Sequence, residues 1–235
     1  MDKFTLTRLV IGIVAVIIVI SYFAIKTIFK NKVVSTKFIA RTAIFSAFAI
    51  ILYVVPGLQF KLPFFPGFLE VHLDEIPLLI ASFAYGPWCG VASLFIKTLV
   101  KLPMTSTMCV GELCDFICSL AFILPSALIY KKHRKFIGAV IALLVGMVSQ
   151  IFVSGFVVTY IILNFYMKVM NLPEFVIIGM INAVGIKIKS LSWSYMFYVS
   201  YPFNAFKDSI VVVATILIYK RLHVLIEKVF NRSNG

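Results

Sequence analysis

The chain has 235 residues, 62% hydrophobic and 13% charged, with a formal net charge of +13 and a mean hydropathy of +1.05. A soluble domain is about half apolar and about a quarter charged, so a single water-exposed globule is excluded and much of this surface has to face lipid. So many cations on a soluble protein would point to nucleic acid; here Lys and Arg fall mostly between long uncharged runs, where they set membrane orientation beside anionic lipid.

A first helix is predicted from about Arg8 to Phe29. Its uncharged stretch Leu9–Ile25 is longer than a signal-peptide core, and Lys26, Lys30 and Lys32 follow it instead of a small-residue cleavage site, so it reads as a retained membrane helix. A basic linker with Lys30, Lys32, Lys37 and Arg41 leads to a second helix, about Phe38 to Val55, which ends at Pro56-Gly57. Residues Leu58 to Leu73 carry Gly67, Pro63 and Pro66 among Phe60, Phe64, Phe65 and Phe68, a density of breakers that predicts an ordered apolar loop at the membrane surface.

The uncharged segment Ile76 to Ile96 is interrupted by Gly86-Pro87. One kinked crossing would put the cluster Lys131, Lys132, Arg134 and Lys135 on the opposite side from the Lys32 linker. Two short crossings put both clusters, and the C-terminal Lys220, Arg221, Lys228 and Arg232, on the inside. Two short helices are therefore predicted, in a thinned region buried by their neighbours. Further helices follow from Val110 to Tyr130 and from Phe136 to about Met167. Asn171 to Ser200, with Pro173, Glu174, Lys187 and Lys189, reads as an external excursion lying partly in the interface. A last helix opens at Pro202, a favoured first helical position. The predicted fold is an all-α membrane bundle with seven crossings, the N-terminus outside and the C-terminus in the cytoplasm, divided into residues 1–36 and a main membrane domain, 37–235.

Polar groups inside apolar helices are costly and mark candidate sites. Asn204 and Lys207 stand three apart on one helix face and together can donate to and accept from a planar, carbonyl-rich ligand. Lys207 can instead pair with Glu112 or Asp208, although adjacent side chains point in different directions. Asn164, a turn beyond Thr159 and Tyr160, reads either as a ligand contact or as interhelical hydrogen bonding. Glu112 and Asp115 share a face; an acid–base pair, a metal site and simple helix N-terminal charge all fit. His72, Asp74 and Glu75 suggest a metal, without a partner cluster to complete it, or Asp74 as an N-cap before Pro77. The four cysteines, Cys89, Cys109, Cys114 and Cys118, form no CxxC pair and read as small packing residues. Ala40, Ala43 and Ala47, flanked by Ser46 and Ala49, give a small-residue face that lets another helix approach.

These segments resemble the S components of energy-coupling factor (ECF) vitamin transporters, specifically the riboflavin-binding RibU group. The resemblance is carried by Leu73-Asp74-Glu75-Ile76-Pro77, by Phe83-Ala84-Tyr85-Gly86-Pro87 with its continuation to Ile96-Lys97, by Val110-Gly111-Glu112-Leu113, and by Pro202-Phe203-Asn204 with Lys207. It covers about Lys37 to the C-terminus. The N-terminal helix is extra to a six-helix S-component core, Thr98 stands where the pattern reads Asn after Lys97, Asp115 stands where Asn follows Glu-Leu-x, and the 171–200 excursion is longer. The resemblance implies a subunit that captures riboflavin or a related flavin from outside and transforms nothing. Its flavin is cargo rather than cofactor, and its energy comes from a T component and two ATPase subunits. Ligand contacts are expected from Asn204, Lys207, Asn164, Glu112, Thr159, Phe68 and Lys97, and docking on the T component from Ala43 and Ala47; no catalytic or metal-binding residue is expected. Other readings remain open: an S component for another vitamin such as pantothenate, a proton-coupled carrier using Glu112 and Asp115, or an intramembrane enzyme using those carboxylates with His72.

Overall fold

The computed structural model describes residues 35–231 except 56 and 106, with side chains as far as Arg221. The N-terminal helix expected over Arg8 to Phe29 lies outside the described residues. Contacts divide the chain into Met1–Arg41 and Thr42–Gly235. Of the first unit, the described part is the opening of helix α1 (Thr36–Val54), where the Ser35 hydroxyl accepts from the Phe38 amide at 3.2 Å.

Within the second unit α1 buries Thr42, Ser46, Ala49 and Tyr53, a stripe at helical spacing, and leaves Ala43 and Ala47 exposed. Two-residue strands, Phe60–Lys61 (β1) and Glu70–Val71 (β2), pair antiparallel with Phe60 opposite Val71. The breaker-rich loop is thus a small hairpin, pinned where Phe65 meets Phe203 edge-on at 5.3 Å.

The segment split by Gly86-Pro87 forms two helices, α2 (Glu75–Tyr85) and α3 (Pro87–Lys101). Gly86 sits at φ +96°, a conformation other residues rarely adopt, and Pro87 opens α3 where its missing N–H costs nothing. Ten of the eleven residues of α2, from Glu75 to Ala84, are buried, so α2 is enclosed by its neighbours, whereas α3 buries seven of its fifteen residues and leaves Leu99 and Val100 exposed. Gly90 makes the pairing possible: a Cβ there would fall 2.9 Å from the Leu78 carbonyl oxygen. Small polar groups likewise bring α1 against α3, with the Ser93 hydroxyl donating to the Thr42 carbonyl at 3.3 Å and the Ser46 hydroxyl to the Ser93 carbonyl at 3.4 Å.

Helices α4 (Val110–Lys132) and α5 (Phe136–Lys168) form the most extensive pair in the bundle. Helix α7 begins at Trp193 and continues as Tyr201–Asn231. Four described helices, α1, α4, α5 and α7, are long and apolar enough to cross a membrane. At one end Phe83 stacks on Tyr130 at 4.3 Å, and the Tyr130 and Tyr219 hydroxyls bond at 2.8 Å.

Two features differ from expectation. Helix α7 starts nine residues before Pro202, and both α5 and α7 contain one widened π turn, at Val158–Ile162 and Met196–Ser200. Pro202 has no N–H for the preceding turn and its ring crowds that turn's carbonyl; the π turn immediately ahead provides room, so the helix passes through the proline. The 171–200 excursion is correspondingly shorter. It folds as a cap with a helix of its own, α6 (Glu174–Ala183), and a core of Leu163, Ile177, Ile181, Leu191, Tyr195 and Val199 on which Phe68 and Leu69 lean. Two polar staples close it: the Leu191 amide donates to Glu174 at 3.2 Å and the Ile188 amide to Asn182 at 3.0 Å.

The first turn of α2 binds the other helices together through charge. Lys97 of α3 donates to Asp74 at 2.6 Å and to Asp115 of α4 at 2.8 Å. Glu75 Oε1 accepts from Ser119 of α4 at 3.1 Å, Gln150 of α5 at 2.8 Å and Lys207 of α7 at 3.1 Å. Asp74 makes no cap with its side chain, because its carboxylate is committed to Lys97.

Two outcomes follow for the detergent-solubilised protein. Removing one partner of a buried ion pair costs ~3–5 kcal/mol; Glu75→Ala falls at the lower end of that range, because Asp208 remains 3.5 Å from Lys207. Chemical unfolding of the variant beside the parent measures it. A Cβ at Gly146 would meet Ser126 Oγ at 2.0 Å and the Phe122 carbonyl oxygen at 2.6 Å. Gly146→Ala forces α4 and α5 apart and lowers the melting temperature, at about 1–3 kcal/mol for overpacking, whereas Gly179→Ala, which enters open space, does not.

Candidate functional site

A cavity of about 300 Å³ opens among α1, the hairpin, α4, α5 and α7, at the lower end of the size range of small-molecule sites. Its walls are apolar and aromatic where Tyr53, Phe68, Leu69, Val158, Ile162, Tyr166 and Phe203 contribute. Polar groups converge from four helices, Lys101 from α3, Glu112 and Asp115 from α4, Gln150 and Ser154 from α5, and Asn204 and Lys207 from α7, with Glu70 and His72 beside them. Apolar walls bury a ligand's rings, and a few fixed polar groups choose its orientation.

The polar groups of α4, α5 and α7 are held by partners within the protein. Lys207 is held by Glu75 at 3.1 Å, with Asp208 at 3.5 Å. Its adjacent neighbour is therefore a second counter-ion, contrary to the expectation from side-chain direction, and Glu112 is not its partner. Glu112 instead accepts from the Thr105 and Thr107 hydroxyls at 2.7 and 3.0 Å. Asp115, three residues on, pairs with Lys97, so the two carboxylates of α4 have separate partners. The Asn204 amide donates to the Ser200 carbonyl at 2.8 Å, at the end of the π turn, which fixes its rotamer beside the cavity. Gln150 donates to Glu75 at 2.8 Å and has a buried carbonyl Oε1 without a partner.

Four of the seven residues expected to contact ligand border this cavity: Phe68, Glu112, Asn204 and Lys207. Three do not. Lys97 is fully buried behind Asp115, its ammonium also 4.1 Å from the Tyr53 ring centre. Thr159 is buried in the π turn of α5 with its hydroxyl unpartnered, and Asn164 is bound to the Tyr160 carbonyl at 2.8 Å on the cap side. Gln150 and Tyr53 were not singled out by their sequence context. A glutamine in the middle of an uncharged helix of mean hydropathy 2.4 was the available signal for the first; nothing local marks the second.

Asp74 and Glu75 serve different lysines, and among the described residues no group of three His, Cys, Asp or Glu side chains is arranged for a metal. His72 borders the cavity with its ring 4.9 Å from that of Tyr53, and burial holds its imidazole below its ordinary pKa. Cys114 and Cys118, one turn apart on α4, form part of the cavity wall, a position that packing spacing alone did not reveal.

Similarity to known proteins agrees with this architecture. The chain is 25% identical over 177 residues to the riboflavin transporter RibU of Staphylococcus aureus (strain TCH60), covering 75% of this chain and 87% of that protein. It is 26% identical over 193 residues to the riboflavin transporter FmnP of Bacillus subtilis (strain 168), covering 81% and 95%. A solved S component of a bacterial ECF transporter superposes with a TM-score of 0.61 at 23% identity, over 80% of this chain and 96% of that one. The family model for the substrate-specific component of ECF transporters matches residues 37–219, and the chain belongs to that family.

Proposed function

We propose that this multi-pass membrane protein captures riboflavin, or a closely related flavin, from outside the cell and hands it to a partner module that supplies the energy for uptake. The observation that carries the reading is the pairing of Asn204 with Lys207 on one face of α7, at a cavity that also offers the aromatic and aliphatic surfaces of Tyr53, Phe68, Leu69, Tyr166 and Phe203. A flavin offers a flat apolar ring system for such walls and a carbonyl-rich edge for an amide and an ammonium. The names of the relatives support the same ligand. The site's carboxylates support binding rather than chemistry: Glu112 is held by two hydroxyls and Asp115 by Lys97, in geometries that orient but do not activate.

The partners of the proposal are a T component and two ATPase subunits, and the distribution of the basic clusters supports a cytoplasmic C-terminus and an outside N-terminus. Residues 1–36 would be an appended crossing outside the binding domain. Docking on the T component falls to the outer face of α1. That helix packs inward through Thr42, Ser46, Ala49 and Tyr53, which leaves Ala43 and Ala47 exposed as a low-relief surface that another helix can approach closely.

Titrating the purified chain with riboflavin is expected to quench flavin fluorescence at one site; binding of a different vitamin without quenching would replace the ligand. Asn204→Ala and Lys207→Ala each weaken binding by the value of a lost buried hydrogen bond, about 1–3 kcal/mol, read from the same titration. Ala43→Leu or Ala47→Leu retains flavin affinity but loses co-purification with the T component and uptake in cells. If affinity falls together with docking, those alanines pack inside the subunit and the docking assignment is wrong.

A further inference from the structure

Gln150 lies in the middle of α5, 1% exposed, inside one of the most apolar helices of the chain. Its orientation is settled by chemistry. Glu75 Oε1 also receives the Lys207 ammonium, so it acts as an acceptor, and an acceptor can take only the NH2 side of the Gln150 amide. The carbonyl Oε1 is therefore turned away from Glu75. It is buried and meets no donor among the described residues, while the side chain borders the cavity. A buried carbonyl without a donor is an uncommon and costly arrangement, and the cavity is where a donor can be brought to it.

The same carboxylate oxygen that anchors Gln150 at 2.8 Å anchors Lys207 at 3.1 Å. A hydrogen-bond acceptor and an ammonium donor are thus carried by two side chains anchored on one atom, and both side chains border the cavity. On the flavin reading, from which this inference follows, the ligand carries a complementary edge: an imide N–H flanked by two carbonyls. We propose that Gln150 Oε1 accepts a hydrogen bond from that N–H while Lys207 donates to a neighbouring carbonyl, making Gln150 the residue that selects ligands with a proton on the imide nitrogen. A site built around a buried polar group rejects an analogue that cannot pair with it far more strongly than an apolar pocket rejects a change of size.

The test compares riboflavin with N3-methylriboflavin, which replaces the imide proton by a methyl group, in fluorescence titrations of the full chain and of Gln150→Met. The parent is expected to favour riboflavin by at least ~10-fold. In Gln150→Met, riboflavin binds more weakly and the preference shrinks to within about threefold, because a thioether carries almost no acceptor strength and leaves room for the methyl. Equal affinity of the parent for the two flavins overturns the proposal, as does a Gln150→Met protein that still rejects the methylated flavin as strongly as the parent does. Should Gln150→Met fail to fold, Gln150→Leu gives the same comparison, and the parent's own discrimination between the two flavins can overturn the proposal without any variant. A parent that binds neither flavin removes the flavin reading and this inference with it, a result distinct from equal binding of both.

Discussion

Two ammonium groups buried in a membrane protein must be neutralised where they lie, and the first turn of α2 does this for both. Asp74 takes Lys97 and Glu75 takes Lys207, and each lysine has a second carboxylate, Asp115 or Asp208, within 3.5 Å. The desolvation cost of such groups is several kcal/mol per ion and is recovered only with good geometry and further hydrogen bonds. Ser119 and Gln150 supply those bonds at Glu75, and the N-terminal end of α2 adds a favourable field for the carboxylates. The network draws together one helix after another, so the positions of Gln150 and Lys207 at the cavity, and through Lys97 that of Asp115, depend on two residues that do not border it.

This arrangement accounts for what could be read in the sequence. Helix boundaries followed from uncharged length, and the choice of two short helices followed from the side on which the basic clusters must lie; Gly86 at φ +96° then supplied the turn. Asn204 and Lys207 were recognisable because they are polar, three apart and within an apolar run. Glu75 was visible as a residue, but its role depends on Ser119, Gln150 and Lys207, which lie 44, 75 and 132 positions away. No local pattern encodes that convergence. Lys97 shows the reverse case: its placement inside an apolar segment suggested ligand contact, whereas its charge is spent on Asp74 and Asp115, so it orients the cavity from behind.

The π turns were not legible for a related reason. A widened turn arises from competition between the α-helical ladder and the packing of neighbouring helices, not from a residue type. Pro202 was a sign of irregularity, but by itself it suggested a helix start, because the usual penalty for an internal proline argues against continuation. In α5 no proline is present, and the irregularity at Val158–Ile162 occurs where the helix leaves the main bundle and enters the cap. The two π turns lie against each other, and the π-turn residues Val158 and Ile162 line the cavity. The cap beyond them has a hydrophobic core separate from that of the bundle.

Helix α1 connects the two surfaces that the proposed function needs. Its inner stripe ends in Tyr53, which borders the cavity and receives the Lys97 ammonium over its ring at 4.1 Å. Its outer stripe carries Ala43 and Ala47. Tyr53 lies ten positions beyond Ala43, about 15 Å of helix at 1.5 Å per residue, and no glycine or proline interrupts that length. A regular helix of this kind transmits displacement along its axis rather than absorbing it. Small, exposed residues at one end can therefore be varied without changing the charges that shape the cavity, while any shift of α1 as a body moves Tyr53 against Lys97. Independence of composition and continuity of structure thus coexist in one element, because the two stripes occupy different faces of the same rigid rod.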